Sequence, residues 1–256
     1  MTEFFCFEHF GKEEDIIHAV TRKQQNASYA FSMALHTGEH PPKIISNRSE
    51  VASWIENRGI SHFVLAQQTH SDHVEVVDKV VSRGWMSEED AIRDCDALVT
   101  AQRGVMVGVL TADCVPILLY DRQKKVVAAV HAGWRGTHKR IVQKCIIRMQ
   151  QEFGSISQDI IVGIAPAIGQ CCYEVGEDVA GHFMKVYPDS IETRGDKYML
   201  DLPAINKKQI EEMGVPVSQI EMSDICTSCE NGSFFSYRQE RGCSGRFLSL
   251  IGLRKE

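Results

Sequence analysis

The sequence predicts an α/β fold in which helices cover layered, mixed β-sheets. Three apolar runs rich in β-branched residues, Ala97–Thr100, Val105–Tyr120 and Val126–Val130, are nearly continuous, as is typical of strands covered on both faces. Predicted strands and helices interleave irregularly, which favours mixed sheets over a doubly wound sheet. A chain of 256 residues is within the range of one α/β domain, so we expect residues 1–256 to form a single domain.

The other elements are predicted from local periodicity. Short apolar runs predict strands, and apolar residues at helical spacing predict helices. Thr137 is the expected N-cap of a helix that runs to about Phe153. The polar segment Lys23–Pro42 is predicted to be a loop. The remaining predicted strands are Phe4–Phe7, Ile16–Thr21, His62–Ala66, Val74–Val77, Ile160–Ile164, Ile220–Met222 and Phe247–Gly252, and the remaining helices are Asn47–Asn57, Gly176–Val186 and Leu202–Met213.

Composition and charge argue against several classes of function. Hydrophobic residues make up 43% of the chain and charged residues 24%, as in ordinary globular proteins. The formal net charge of −6 argues against a nucleic-acid partner, because such proteins usually carry a basic surface. No apolar run approaches the ~20 residues of a membrane span, so we expect no membrane partner. The amino terminus lacks a secretory signal and the nine cysteines are irregularly spaced, which predicts mostly free thiols and a cytoplasmic location.

Three short segments each place a potential metal ligand beside the end of an apolar run. These ligands are His70, Cys114 and His131. Two histidines and one cysteine suit a catalytic zinc site, which has three protein ligands and one open position. The same residues offer a thiol with two potential bases, so a cysteine nucleophile is an open alternative. Active sites of α/β proteins lie at strand ends, so three potential ligands at strand ends together indicate an active site more strongly than each does alone.

Residues next to these ligands are also candidates for the site. A carboxylate inside a buried run is unfavourable unless it is paired, so Asp113 is expected to serve the site. In a regular strand, Asp113 and Cys114 would point to opposite faces. Trp134 is a candidate pocket wall, and Arg135, which precedes a predicted helix, is a candidate anion ligand.

The segment Cys226–Cys229 has the C-x-x-C spacing. A structural zinc site needs four ligands, and the sequence shows no second such pair. A thioredoxin-like motif would open a helix, whereas the residues that follow, Glu230–Gly232, are typical of a turn. We therefore expect these cysteines to be thiols in a loop.

Further segments extend the pattern from about Asn47 to the carboxyl terminus. They are Gln68–His70, Asp96–Thr100, Thr111–Pro116, His131–Arg135, Gly163–Gly169, Cys172–Val175, Ser236–Arg238 and Gly245–Arg246. In these segments the chain resembles the YfiH/YlmD family, whose members have been labelled laccase-domain proteins or multicopper polyphenol oxidoreductases. The family is now assigned purine nucleoside phosphorylase activity, with adenosine deaminase activity beside it.

The resemblance implies a YfiH-like catalytic domain with a layered α/β/β/α fold, similar to that of cysteine–histidine toxin deamidases. It implies a Zn²⁺ site, with copper less favoured, formed by His70, Cys114 and His131, and Asp113 completes the predicted catalytic set. The predicted substrate-binding residues are Arg48, Gln68, Arg135, Tyr173 and Arg246.

The implied substrates are a purine nucleoside and phosphate. The implied reaction converts adenosine, inosine or methylthioadenosine into the free base and a ribose 1-phosphate, and adenosine deamination is the implied side activity. We expect a monomer or a small homo-oligomer.

Three other functions stay open on the residues alone. In a metal-free cysteine hydrolase or amidase, of the type that edits peptidoglycan precursors, Cys114 would be the nucleophile, His131 the base, and Asp113 or Gln68 the orienting or oxyanion group. A copper-dependent polyphenol oxidase would need many histidines, commonly paired as H-x-H, and none of the ten histidines lies two residues from another. A non-enzymatic binding module would leave Asp113 and the ligands unexplained.

Overall fold

The computed structural model describes residues 4–242 and 244–255. Within these residues the helices are α1 (Glu8–Gly11), α2 (Pro41–Glu56), α3 (Trp134–His138), α4 (Ile141–Phe153), α5 (Glu177–Ala180) and α6 (Leu202–Glu212). The strands are β1 (Phe4–Phe5), β2 (Ile16–Thr21), β3 (His62–Leu65), β4 (Val74–Val76), β5 (Ala97–Thr100), β6 (Val105–Thr111), β7 (Val115–Asp121), β8 (Val126–Ala132), β9 (Ile160–Ile164), β10 (Glu174–Val175), β11 (Ile191–Arg194), β12 (Lys197–Leu200), β13 (Ile220–Met222) and β14 (Phe247–Leu253). None of the helices in these two ranges has both the length and the apolar character needed to cross a membrane.

The strands form two large mixed sheets and one small sheet. The first large sheet has the order β1-β2-β14-β6-β3, and the second has the order β13-β9-β7-β8-β5-β4. Antiparallel pairs form the centre of each large sheet, and parallel pairs lie at the edges, where β3 joins β6, β13 joins β9 and β4 joins β5. The small sheet, β10-β12-β11, is antiparallel. The prediction of a mixed-sheet α/β fold is confirmed.

Strand β7 shows how the layers are built. Ile117 packs on one side of the second sheet with residues of α4 and α6, whereas its neighbour Leu118 packs on the other side with residues of the first sheet. On the outer face of the first sheet, Met106 packs against α2. The order of layers is therefore helix, sheet, sheet, helix. Strands β6, β7 and β8 are buried at every position because both of their faces are covered.

The run Val105–Tyr120, predicted as a single strand, is two strands in different sheets. Strand β6 ends at Thr111 in the first sheet, and β7 begins at Val115 in the second. The connection contains Asp113, whose φ of 85° lies in the left-handed region. The prediction that Asp113 and Cys114 belong to one regular strand was wrong. Hydrophobicity did not reveal the break because both strands are buried on both faces.

Three predicted segments differ in extent from the observed ones. The helix expected to begin at Thr137 is two helices, because Arg140 adopts a φ of 61° between α3 and α4, and Gly133 rather than Thr137 is the first N-cap. Helix α2 begins at Pro41, inside the predicted loop, since proline is well accepted in a first turn. Helix α5 covers only the first part of the predicted Gly176–Val186 helix.

Candidate active site

The structure brings the three predicted ligands together where the chain crosses between the two large sheets. His70 lies in the loop between β3 and β4, Cys114 in the connection between β6 and β7, and His131 near the end of β8. One ligand atom from each lies within 4.8 Å of the others, and Cys114 Sγ is 3.8 Å from His70 Nε2. We call His70, Cys114 and His131 the three-ligand cluster. His131 is buried and His70 is exposed, so the cluster is reached from one side.

Two ligand-bearing segments have a left-handed backbone. His70 has a φ of 60° and Asp113, directly before Cys114, has a φ of 85°. Such conformations are uncommon outside glycine and persist where surrounding contacts hold them. The Asp113 carboxylate accepts hydrogen bonds from Thr227 Oγ1 at 2.7 Å and from the Arg238 backbone N–H at 2.6 Å. These contacts give Asp113 a role in positioning Cys114.

Asp96 orients the histidine ligands and was not predicted to be a site residue. Its Oδ1 accepts hydrogen bonds from His131 Nδ1 at 2.6 Å and from the His70 N–H at 3.1 Å. Its Oδ2 accepts from the N–H groups of Thr69 and Ser71. A carboxylate on Nδ1 fixes the ring orientation and leaves Nε2 for a ligand. The available signal in the sequence was an aspartate directly before a buried strand.

Charges within the cluster change the pKa values of its members. Burial alone would raise the pKa of Cys114, but the charge of His131 and hydrogen bonds from His131 and His70 lower it to about 6. Burial alone would lower the pKa of His131, but Cys114 and Asp96 raise it to about 9. Burial alone would raise the pKa of Asp96, but His131 and Ser71 lower it to about 2. In the absence of a metal, these directions favour a thiolate–imidazolium pair at neutral pH.

The donor atoms and their surroundings fit a zinc ion. Two imidazole nitrogens and a thiolate are the ligands of known catalytic zinc sites. Gly133 leaves room beside them, because a Cβ at that position would lie 2.9 Å from His70 Cδ2 and 3.1 Å from Cys114 Sγ. His73, the neighbouring histidine, instead places Nδ1 2.8 Å from the Asp94 carbonyl oxygen and lies outside the cluster.

A cavity of about 720 Å³ opens beside the three-ligand cluster. Its size suits a small organic ligand. Aromatic side chains of Trp134, Tyr173 and Tyr237 form part of its wall. Apart from the cluster, the histidine, acidic and basic residues that line it are His36, Arg48, Glu88, Asp113, Arg238 and Arg246.

Arg48 and Gln68 line this cavity, but backbone groups engage most of their polar atoms. Arg48 is 1% exposed. Its guanidinium donates four hydrogen bonds to the carbonyl oxygens of Met33, Gly84 and Trp85. The amide of Gln68 pairs with both backbone groups of Leu110, at 2.8 Å and 2.7 Å. The observed contacts of both residues therefore shape the cavity wall.

The other three predicted substrate-binding residues are placed differently. Tyr173 is half-buried in the cavity wall, and the guanidinium of Arg238 lies 5.4 Å from its ring centre. Arg246 also lines the cavity, and its Nη1 donates to two nearby backbone carbonyls. Arg135 is exposed, lies 4.2 Å from the centre of the Trp134 ring, and is outside the described lining of the cavity.

Comparison with known proteins finds relatives along almost the whole chain. The family model described as multi-copper polyphenol oxidoreductase laccase matches residues 17–254. A purine nucleoside phosphorylase of Bacteroides thetaiotaomicron is 34% identical over 259 residues, which cover 97% of this chain and 96% of that protein. A protein named adenosine deaminase RL5, from an unknown prokaryotic organism, is 34% identical and covers 94% of this chain and 96% of its own length.

A solved structure supports the same relationship. The crystal structure of YlmD from Geobacillus stearothermophilus superposes with a TM-score of 0.90 at 31% sequence identity, and the match covers 100% of both chains. Sequence and fold therefore agree over the whole length.

Proposed function

This chain belongs to the YfiH/YlmD family, whose model is described as multi-copper polyphenol oxidoreductase laccase, and we propose that it is a purine nucleoside phosphorylase acting on adenosine and inosine. The observation that carries the proposal is one cavity that combines the three-ligand cluster with arginine and aromatic side chains. A nucleoside and phosphate need those features together, because phosphate requires cationic donors and a purine requires flat apolar surfaces.

In this proposal the arginines bind phosphate and the aromatic residues bind the purine. Arg238 and Arg246 supply positive charge for phosphate, and Trp134 and Tyr237 supply ring faces for the purine. Burial and the nearby charge of Cys114 raise the pKa of Tyr173, so its hydroxyl stays a neutral hydrogen-bond donor at the wall. A phosphate oxygen then bonds to C1′ of the ribose while the bond from C1′ to the base nitrogen breaks, and the base leaves with the bonding electrons and takes up a proton.

We infer that Zn²⁺ occupies the three-ligand cluster. When bound, zinc supplies a positive charge that polarises an oxygen ligand or lowers the pKa of a bound water. Asp96 holds the His131 ring so that Nε2 faces this position. Zinc is favoured over copper because a multicopper oxidase needs several histidine-rich sites, and this cluster contains two histidines.

A second activity, adenosine deamination, is proposed on two observations. One relative is named an adenosine deaminase, and the cluster provides three protein ligands, which leaves a fourth position for water. In that reaction water replaces the 6-amino group, which leaves as ammonia.

The metal-free cysteine hydrolase is the second candidate function, and the pKa directions of Cys114 and His131 favour it. The group that orients the base in this case is Asp96, which bonds to His131 Nδ1. The roles predicted for Asp113 and Gln68 in this alternative do not agree with the structure, because their side chains pair with Thr227, Arg238 and Leu110.

The test is product analysis under defined metal and phosphate. Metal-analysed protein is incubated anaerobically with adenosine or inosine, with and without phosphate, and products are separated by chromatography. The proposal expects free base and ribose 1-phosphate only when phosphate is present, and inosine from adenosine in either case. Cys114→Ala is expected to lose these activities, and Cys6→Ser, which changes an exposed cysteine elsewhere, is the matched control.

Two further outcomes distinguish the phosphorylase from the cysteine hydrolase. No base release with zinc-loaded protein contradicts the phosphorylase. Zinc-free protein that retains thiol-dependent hydrolysis of an amide substrate supports the cysteine hydrolase instead.

A further inference from the structure

Four cysteines from two distant segments meet outside the candidate active site. Cys171 and Cys172 lie in the loop after β9, and Cys226 and Cys229 lie in the segment after β13. Their sulfur atoms all lie within 4.8 Å of one another. We call these residues the four-cysteine cluster. Cys226 and Cys229 are free thiols in a loop, as expected. The sequence did not show that Cys171 and Cys172 lie beside them, because these partners are 54 to 58 positions away in the chain.

Sheet topology explains why these segments meet. Strands β9 and β13 are parallel neighbours, so the segments that follow them leave the sheet at the same end of the two strands. The backbone pairing continues beyond the strands, since the Thr227 N–H donates to the Ala167 carbonyl at 3.0 Å and the Ala167 N–H donates to the Ile225 carbonyl at 3.3 Å. Two loops held in this register bring their cysteines to one point.

The sulfur separations fit a tetrahedral metal site. A zinc–sulfur bond of about 2.3 Å places the four sulfurs of a tetrahedron about 3.8 Å apart. Cys229 Sγ lies 3.7 Å from Cys171 Sγ and 3.5 Å from Cys172 Sγ. An iron–sulfur cluster would hold thiolates farther apart, because they bind different iron atoms.

Backbone groups around the cluster suit thiolate ligands. The Gly169 N–H donates to Cys226 Sγ at 3.3 Å, a contact that stabilises negative charge on sulfur. Gly169 also permits the close approach of the loops, because a Cβ there would lie 3.3 Å from Cys226 Cβ and 3.4 Å from Cys171 Sγ.

Packing alone does not account for these thiols. Cysteines that only fill a core are buried, as Cys95 and Cys145 are, whereas Cys171 and Cys229 are exposed. The described lining of the catalytic cavity includes Cys114 and none of the four. A closed set of four protein ligands is the arrangement of structural rather than catalytic zinc.

We propose that the four-cysteine cluster binds one structural Zn²⁺ through four thiolates. The ion joins the two loops that support the active site. Thr227, within the C-x-x-C segment, donates to the carboxylate of Asp113, and Tyr173, next to Cys172, lines the catalytic cavity. The site therefore positions catalytic groups without contacting substrate, and it does not depend on the proposed phosphorylase function.

The test uses a variant that cannot bind zinc at the three-ligand cluster. Full-length Cys114→Ser protein, purified anaerobically, is expected to retain one zinc per chain, against two in the unchanged protein. X-ray absorption at the zinc edge is expected to show four sulfur neighbours at about 2.3 Å. After cobalt substitution, the visible spectrum is expected to be that of tetrahedral Co²⁺ with four thiolates.

Further variants separate the outcomes. Cys226→Ser/Cys229→Ser in the Cys114→Ser background is expected to bind no zinc, and Cys6→Ser in the same background is expected to bind as much as its parent. Zinc-free Cys114→Ser protein, a nitrogen- or oxygen-rich ligand shell, or disulfides between the four cysteines in the anaerobic protein would each overturn the proposal. Because all these readouts are spectroscopic or stoichiometric, an inactive enzyme does not affect them.

Discussion

The three-ligand cluster and the four-cysteine cluster both bring together side chains from distant segments, but they differ in the number of protein donors and in the space beside them. The first provides three donors, borders a cavity of about 720 Å³, and is oriented by the carboxylate of Asp96. The second provides four thiols and an N–H from Gly169. A catalytic metal site is distinguished from a structural one by the number of protein donors and the space beside them, rather than by the presence of cysteine.

The largest effect is expected when the open site loses its thiol. Cys114→Ala should lower kcat/KM for phosphorolysis by about 10³-fold or more and remove one of two zinc ions. The fold should persist, because the layers are packed by apolar cores that exclude this residue. Steady-state kinetics, metal analysis and thermal unfolding check this, with Cys6→Ser as control. Retained activity would exclude Cys114 from the catalytic groups.

A smaller loss is expected from the residue that orients the open site. Asp96→Asn replaces an acceptor of the His131 proton with an amide, and should lower zinc affinity or activity about 10- to 100-fold. Competition with a chelator measures the affinity of the site.

Asp72→Asn is the matched control, since Asp72 lies in the β3–β4 loop that carries His70 but pairs with the surface lysines Lys139 and Lys144. Equal losses in both variants would show that the loss of a negative charge near His70, rather than of the bond to His131, is responsible.

The link between the clusters is expected to contribute less. Thr227→Val removes the hydroxyl that donates to Asp113 at 2.7 Å, and should lower the free energy of unfolding by about 1–2 kcal/mol. Activity should fall several-fold while zinc stays bound at both sites. Denaturant unfolding measures the change. Thr193→Val, on an exposed strand position, should leave both quantities unchanged.

The smallest expected effect is a difference in the pH dependence of cysteine alkylation, which is measured in metal-free protein. In metal-free protein, alkylation of Cys114 should reach half its maximal rate near pH 6, because His131 lowers the thiol pKa to about 6. The thiolate is present above this pH and is lost as the pH falls through it. Partial desolvation at the cluster and hydrogen bonds with the neighbouring thiols of Cys226, Cys229 and Cys172 raise the pKa of Cys171, so its alkylation should need a higher pH.

Mass spectrometry of each cysteine across a pH series checks the contrast. A common midpoint for both thiols would contradict it.

Some features followed from local sequence because they depend on neighbouring residues. The buried strands Ala97–Thr100 and Val126–Val130 were recognisable because apolar, β-branched runs exclude water in any such fold. The proximity of His70, Cys114 and His131 followed from motifs whose residues lie close to strand ends. The layered fold followed from the irregular order of helices and strands and from the family resemblance.

Other features were decided only by tertiary structure, because they depend on which distant segments become neighbours. The run Val105–Tyr120 divides where the chain passes between sheets, although its hydrophobicity does not change. Arg48 became part of the cavity wall because three backbone carbonyls surround its guanidinium. The four cysteines form one cluster because β9 and β13 pair in parallel. Local sequence encodes which residues are buried, and pairing between strands decides which of them meet.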